Sequence, residues 1–134
     1  MTEHYIGWYN VENLFDLQDS RHRSTFLRRR LARELEGWNE EVLVKKVNQL
    51  ASVIARMDGG AGPDILGVCE VENEPVLERL ASAVGHQVPS REYRVVHAAS
   101  DDPRGIDVAF LYDTRVFGAE ETFTHRVVNA SSCN

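Results

Sequence analysis

The first fold prediction comes from the stretch Asp64-Ile65-Leu66-Gly67-Val68-Cys69-Glu70-Val71-Glu72-Asn73, in which a short apolar run ends in two carboxylates. Uninterrupted apolar runs of this length are typical of strands buried on both faces of a parallel sheet. The Asn73-Glu74-Pro75 segment that follows has the cap, the acidic first turn and the early proline of a helix start. Glu70 is therefore predicted to lie where a strand leaves the sheet, as catalytic residues of α/β folds do. The alternative is a solvated glutamate at a strand end.

An earlier strand is predicted at residues 4–10, so Asn10 also stands at a strand exit. Between the two strands, residues 39–57 carry apolar side chains at steps of four and three, which predicts an amphipathic helix. A helix between two strands implies parallel pairing, so Asn10 and Glu70 are expected at the same edge of one sheet. Their side-chain oxygens would then lie roughly 4–6 Å apart around one Mg²⁺ or Mn²⁺ ion.

The rest of the chain extends this α/β pattern. A second helix is predicted at residues 74–84 with Gly85 ending it, followed by an antiparallel hairpin of strands 93–97 and 105–112. A further strand is predicted around residue 117 and residues 122–128, and residues 129–134 are expected to fray. A basic segment with a helical leucine spacing is either a solvated face or a substrate phosphate contact. Its arginines are Arg21, Arg23, Arg28, Arg29, Arg30 and Arg33.

Composition limits the class of protein. The 134 residues suit one domain, and the formal charge of −6 disfavours nonspecific nucleic-acid binding over the whole surface without excluding a local phosphate site. Cys69 and the penultimate Cys133 do not form a disulfide framework. We expect no membrane span, because no apolar run approaches 18 residues, and the absence of a signal-peptide pattern favours a cytoplasmic location.

Three motifs in order give the chain a family resemblance. The segment Tyr9-Asn10-Val11-Glu12-Asn13-Leu14-Phe15-Asp16 resembles the opening motif of the endonuclease/exonuclease/phosphatase superfamily. The 64–73 stretch resembles its second motif, in which the glutamate holds the catalytic divalent metal. The segment Arg104-Gly105-Ile106-Asp107-Val108-Ala109-Phe110-Leu111-Tyr112 resembles its following strand motif.

The resemblance implies a fold, a reaction and a site. The fold would be the N-terminal half of a four-layer α/β/β/α sandwich, a mixed sheet with two main helices on one face. The reaction would be metal-dependent hydrolysis of a phosphodiester or phosphomonoester, with Mg²⁺ or Mn²⁺ as cofactor. Asn10 and Glu70 match metal-site positions and are the catalytic candidates, and Arg104 is a candidate phosphate contact. We expect His97 and Asp107 to bond across the hairpin as a structural pair.

The chain also departs from the family pattern. The Gly-Asp-Phe/Met-Asn segment and the terminal Ser-Asp-His segment of the family's second half are absent from residues 1–134. We therefore expect a partial domain whose C-terminal half is missing, inactive alone and prone to self-association through an uncovered apolar sheet face. The alternative is a non-catalytic α/β module that binds phosphate-bearing ligands or a protein partner. The substrate stays open between nucleic acid, inositol phosphates and phospholipid head groups.

Overall fold

The computed structural model describes residues 2–100 and 104–123. They form two layers, a four-stranded β-sheet and the helices packed on it. Within these two ranges, four strands and three α-helices follow one another, with a 3₁₀ turn at Asp58–Gly60 before the second strand. They are β1 (Ile6–Leu14), α1 (Thr25–Arg30), α2 (Glu40–Ala55), β2 (Ile65–Val71), α3 (Glu74–Gln87), β3 (Tyr93–His97) and β4 (Asp107–Asp113).

The sheet has the order β1-β2-β4-β3. Strands β1 and β2 are parallel, with Asn10 opposite Cys69, which confirms the strand-helix-strand prediction. Strand β4 is antiparallel to β2 and to β3, so the predicted hairpin is also confirmed. Because of these directions, the ends of β1, β2 and β3 and the start of β4 all lie at one edge of the sheet, which we call the exit edge.

Helices α2 and α3 pack on the same face of the sheet. The predicted stripe of α2 is buried at Leu43, Val47, Leu50 and Ile54, and it shares one core with α3 and with the inward side chains of β1, β2 and β4. Asn39 and Asn73 cap the two helices by accepting hydrogen bonds from the backbone N–H groups of Val42 and Val76. The mixed sheet with two main helices on one face is therefore as the sequence predicted.

The opposite face of the sheet is apolar and largely exposed. The Trp8 ring lies over Gly67, where a Cβ atom would approach the ring to 2.4 Å, and Phe110 flanks the same glycine. Trp8 is 59% exposed and Phe110 is 44% exposed. Ile6 and Val108 extend the patch along β1 and β4. Within residues 2–100 and 104–123, no element covers this open face.

The start of β2 is fixed by a cluster at the edge of the sheet opposite the exit edge. Arg91 forms ion pairs with Asp64 and Asp113 and donates to the backbone carbonyl of Gly62. The hydrogen bond from Arg91 holds the pKa of Asp64 below its usual 3.8, although burial opposes the shift. Burial raises the pKa of Tyr93 to about 12, and its hydroxyl donates to the carbonyl of Pro63 over 2.7 Å.

Several boundaries differ from the sequence prediction. Strand β1 runs to Leu14 instead of ending at Asn10, because the chain bulges after Asn10 and pairs again at Leu14 with Val71. Helix α3 passes through Gly85 to Gln87, since the glycine keeps helical geometry and Val88 closes the last turn. No strand forms at residues 117–123, and the remainder of that prediction, with the fraying of 129–134, lies outside the described residues. Within the described ranges, no helix combines the length and the apolar character needed to cross a bilayer.

Candidate functional site

Asn10 and Glu70 lie at the exit edge on adjacent parallel strands. Asn10 is paired with Cys69, the residue directly before Glu70. Neighbouring strands are about 4.8 Å apart, so the two backbones are next to each other at this edge. The strand arrangement predicted for the pair is confirmed, and the separation of the side-chain oxygens stays a prediction.

The backbone at both exits adopts the left-handed conformation, which non-glycine residues rarely take. Glu70 has φ 65°, at the irregularity between Cys69 and Val71 in the β2–β4 pairing. Glu12 and Asn13 have φ 53° and 56° in the β1 bulge. The Asn10 Oδ1 atom accepts a hydrogen bond of 2.7 Å from the Glu12 N–H and so supports this bulge. Such residues cost about 1–3 kcal/mol each and concentrate at functional sites.

The two acids of the Glu70-Val71-Glu72 segment have opposite environments. Glu72 is 8% exposed, and its carboxylate accepts from the Arg23 guanidinium and from the Asp16 N–H. Glu70 is half-buried, and its carboxylate forms no hydrogen bond or ion pair with the rest of residues 2–100 and 104–123. Glu72 is therefore committed to structure, whereas the Glu70 carboxylate has no such bond within the described residues.

Arg23 joins the loop after β1 to the loop after β2. Its side chain is 0% exposed, and it contacts Glu72 through Nε at 2.6 Å and through a terminal nitrogen at 2.8 Å. The remaining N–H groups donate to the carbonyls of Asp16, Leu17 and Gln18. All five guanidinium donors are thus used. Arg23 is neither part of a solvated face nor placed to touch a substrate, so both readings of the basic segment are wrong at this residue.

Asp16 completes this network, which we call the buried clamp (Asp16, Ser20, Arg23, Glu72 and Asn73). Its carboxylate accepts from Ser20 Oγ at 2.7 Å and from Asn73 Nδ2 at 3.0 Å. Burial raises the pKa of Asp16, but these hydrogen bonds and the nearby Arg23 charge outweigh it and hold the pKa below the usual 3.8. The clamp therefore joins the loop that follows β1 to the loop that follows β2, just beyond the strand exits at Asn10 and Glu70.

Lys46 of α2 also reaches the exit edge. Its ammonium donates to the Glu12 carbonyl and lies 5.7 Å from the centroid of the Trp38 ring. Burial lowers the pKa of Lys46, while the carboxylates of Glu12 and Glu70 oppose the shift. The sequence analysis did not single out this lysine as a site residue. Its place beside Val47 and three residues after Leu43, on the flank of the buried stripe, is the signal that would have identified it.

Strand β4 brings the other candidates to the same edge. Asp107 pairs with Val71 in the register of β2 and β4, so Arg104, three residues earlier, lies in the loop at the exit edge. Gly105 of this loop packs against Leu27, where a Cβ atom would come within 2.9 Å of the leucine side chain. The predicted bond between His97 and Asp107 is confirmed, with Nε2 and Oδ2 2.8 Å apart and both side chains nearly buried.

The side chains at this edge offer few oxygen ligands for a hard divalent cation. In the ranges that the structure describes, no group of three or more His, Cys, Asp or Glu residues is placed to hold a metal. The available set is one unpaired carboxylate at Glu70 and one amide at Asn10. Mg²⁺ accepts one or two carboxylates when waters and substrate phosphate complete its shell. The donor set therefore fits Mg²⁺ or Mn²⁺ in the presence of a phosphate ester.

The comparison with family models assigns the chain to a protein family. A model of the endonuclease/exonuclease/phosphatase family matches residues 5–134, so the chain belongs to this family, as its motifs suggested. The family defines a phosphoesterase or nuclease type of hydrolase, generally dependent on divalent metal, with phosphate esters or nucleic acid as substrates. Comparisons with curated proteins and with solved structures gave no match.

Proposed function

We propose that this chain provides the metal-binding edge of a divalent-metal-dependent phosphoesterase that hydrolyses phosphodiesters, nucleic acid among them. The observation that carries the proposal is the contrast at β2: Glu72 is buried and fully bonded, whereas Glu70 has a strained backbone and an unpaired carboxylate. If Glu70 served stability alone, its carboxylate would be expected to form hydrogen bonds as that of Glu72 does. A residue held in a costly conformation without a partner is typical of a functional position.

The residues have distinct roles in this proposal. Glu70 supplies the charged metal ligand, and the Asn10 amide oxygen, which keeps one lone pair beyond its bond to Glu12, supplies a neutral one. Bound Mg²⁺ would neutralise charge that develops on the phosphate oxygens. Arg104 contacts the substrate phosphate from the loop before β4. The His97–Asp107 pair holds the end of β3 against the start of β4.

A second candidate function is favoured by the open face. Ile6 and Trp8 are 70% and 59% exposed beside Phe110, a density of apolar groups that monomers rarely leave in water. This favours a module that binds a protein partner through its sheet. We propose that another β-sheet layer covers this face in the active enzyme, and that copies of this chain associate through it when no such layer is present.

Calorimetry with Mn²⁺ and Mg²⁺ tests the metal site. We expect the native chain to bind either ion weakly, in the millimolar range at about 4 kcal/mol, and Glu70→Gln to bind neither detectably. Glu78→Gln is the matched control, because Glu78 is an exposed acid on α3. Equal binding by the native chain and Glu70→Gln would reject Glu70 as the ligand.

A further inference from the structure

Lys46 brings a positive charge from α2 to the exit edge. Its ammonium donates to the Glu12 carbonyl, while the Glu12 N–H donates to the Asn10 side chain, so the bulge after Asn10 links the lysine to a proposed metal ligand. Glu70 lies on the adjacent strand, directly after the residue that pairs with Asn10. The ammonium is therefore held beside the edge at which the divalent ion is proposed to bind.

Neutral groups fix the position of this ammonium. Its hydrogen bond goes to a backbone carbonyl, and Nζ lies 5.7 Å from the centroid of the Trp38 ring, where a cation–π contact adds to the hold. The carboxylates of Glu12 and Glu70 act on the ammonium through space. A cation that is tied to neutral partners keeps its place when a carboxylate near it binds another ion.

A divalent ion on Glu70 would share this environment with Lys46. Two cations near one carboxylate repel each other, and the charge of the half-buried Lys46 is screened less than that of an exposed lysine. In the metal-free protein the ammonium offsets the negative charge of Glu70, whereas in the metal-bound protein it opposes the ion. A phosphate group at the same edge would add negative charge and reduce that repulsion.

We propose that Lys46 is the counter-ion of the exit edge: it compensates the charge of Glu70 in the metal-free protein and lowers the affinity for a divalent ion until a phosphate group arrives. This inference rests on the proposed function, which it deepens by naming a residue that regulates the metal site. The competing explanation is that Lys46 only stabilises the bulge at Glu12. That explanation predicts unchanged or weaker metal binding on substitution, whereas the counter-ion role predicts tighter binding.

The first test needs no metal. Urea unfolding in EDTA is measured for a double-mutant cycle of Lys46→Met and Glu70→Gln. We expect Lys46→Met to lower the urea midpoint less in the Glu70→Gln background than in the native chain, and the difference to shrink as salt is added. Lys45→Met, an exposed neighbour with the same change of charge, should show no such dependence on Glu70. Additive effects of Lys46→Met and Glu70→Gln at low salt would overturn the inference.

The second test measures Mn²⁺ affinity by calorimetry at low salt. We expect Lys46→Met to bind Mn²⁺ about tenfold more tightly than the native chain, because the substitution removes a nearby like charge. Lys46→Arg keeps the charge and should stay within about twofold of the native affinity, as should Lys45→Met. Added dimethyl phosphate should narrow the difference between Lys46→Met and the native chain.

The outcomes separate the counter-ion role from the metal site. Tighter Mn²⁺ binding that disappears in the Lys46→Met/Glu70→Gln double variant would support the inference. Measurable binding by the native chain that is equalled or weakened in Lys46→Met would overturn it. If Lys46→Met does not fold, Lys46→Gln, which retains an N–H donor for the Glu12 carbonyl, decides the question on the same criteria. Coupling between Lys46 and Glu70 in EDTA, in chains that bind no Mn²⁺, would support the charge compensation and reject the proposed metal site, and with it the effect on affinity.

Discussion

Removal of the Arg23 guanidinium is the sharpest test of the buried clamp. In Arg23→Met, the Glu72 carboxylate would keep only the Asp16 N–H as a donor while its side chain stays 4% exposed. The carbonyls of Asp16, Leu17 and Gln18 would lose their donors as well. Breaking a buried ion pair in this way costs about 3–5 kcal/mol. A domain of this size has a free energy of unfolding of about 5–15 kcal/mol, so the variant should lose about a fifth of its stability or more.

Urea unfolding followed by circular dichroism measures this loss. The matched control is Arg30→Met in the same segment, where the side chain is exposed and the change should stay within about 0.5 kcal/mol. The double variant Arg23→Met with Glu72→Met should recover part of the stability, because no uncompensated charge remains buried. An Arg23→Met variant as stable as Arg30→Met would refute the clamp.

Three further results are expected. The folded-state pKa values of Asp16 and Asp64 are held below 3.8, so the stability that these carboxylates contribute is present above about pH 5. It is lost as the pH falls through their folded-state pKa values, and measuring the urea midpoint of unfolding at decreasing pH should show this loss. Replacing Trp8 and Phe110 by serine should reduce self-association in sedimentation velocity, and an unchanged association state would show that the open face is not the contact. The chain alone should hydrolyse a generic phosphodiester negligibly with Mg²⁺, because we propose that it supplies only the metal-binding edge, and the lack of one charge-stabilising group typically costs about 100- to 1000-fold in rate. Robust turnover by a monomer would make His97 and Asp107 catalytic candidates.

The sequence was most informative where periodicity and strand order act together. The 64–73 stretch and the α2 stripe were enough to predict the parallel pair, and with it the shared edge of Asn10 and Glu70. The buried clamp was not predictable, because Arg23 and Glu72 are 49 residues apart and a charge run gives no sign of which arginine is buried. Lys46 was missed because the side chain of a lysine beside a buried helical stripe can point either toward solvent or toward the sheet. Its orientation is set by Trp38 and Glu12, which only tertiary contact brings near.

The proposed function requires one divalent ion to bind at the exit edge between Asn10 and Glu70. Paramagnetic broadening of backbone amide signals by substoichiometric Mn²⁺, recorded by NMR on the native chain and on Glu70→Gln, locates the ion directly. We expect selective loss of the signals of Asn10 and of residues 69–71 in the native chain and no such loss in Glu70→Gln. Broadening centred elsewhere, or a pattern unchanged by Glu70→Gln, would contradict it.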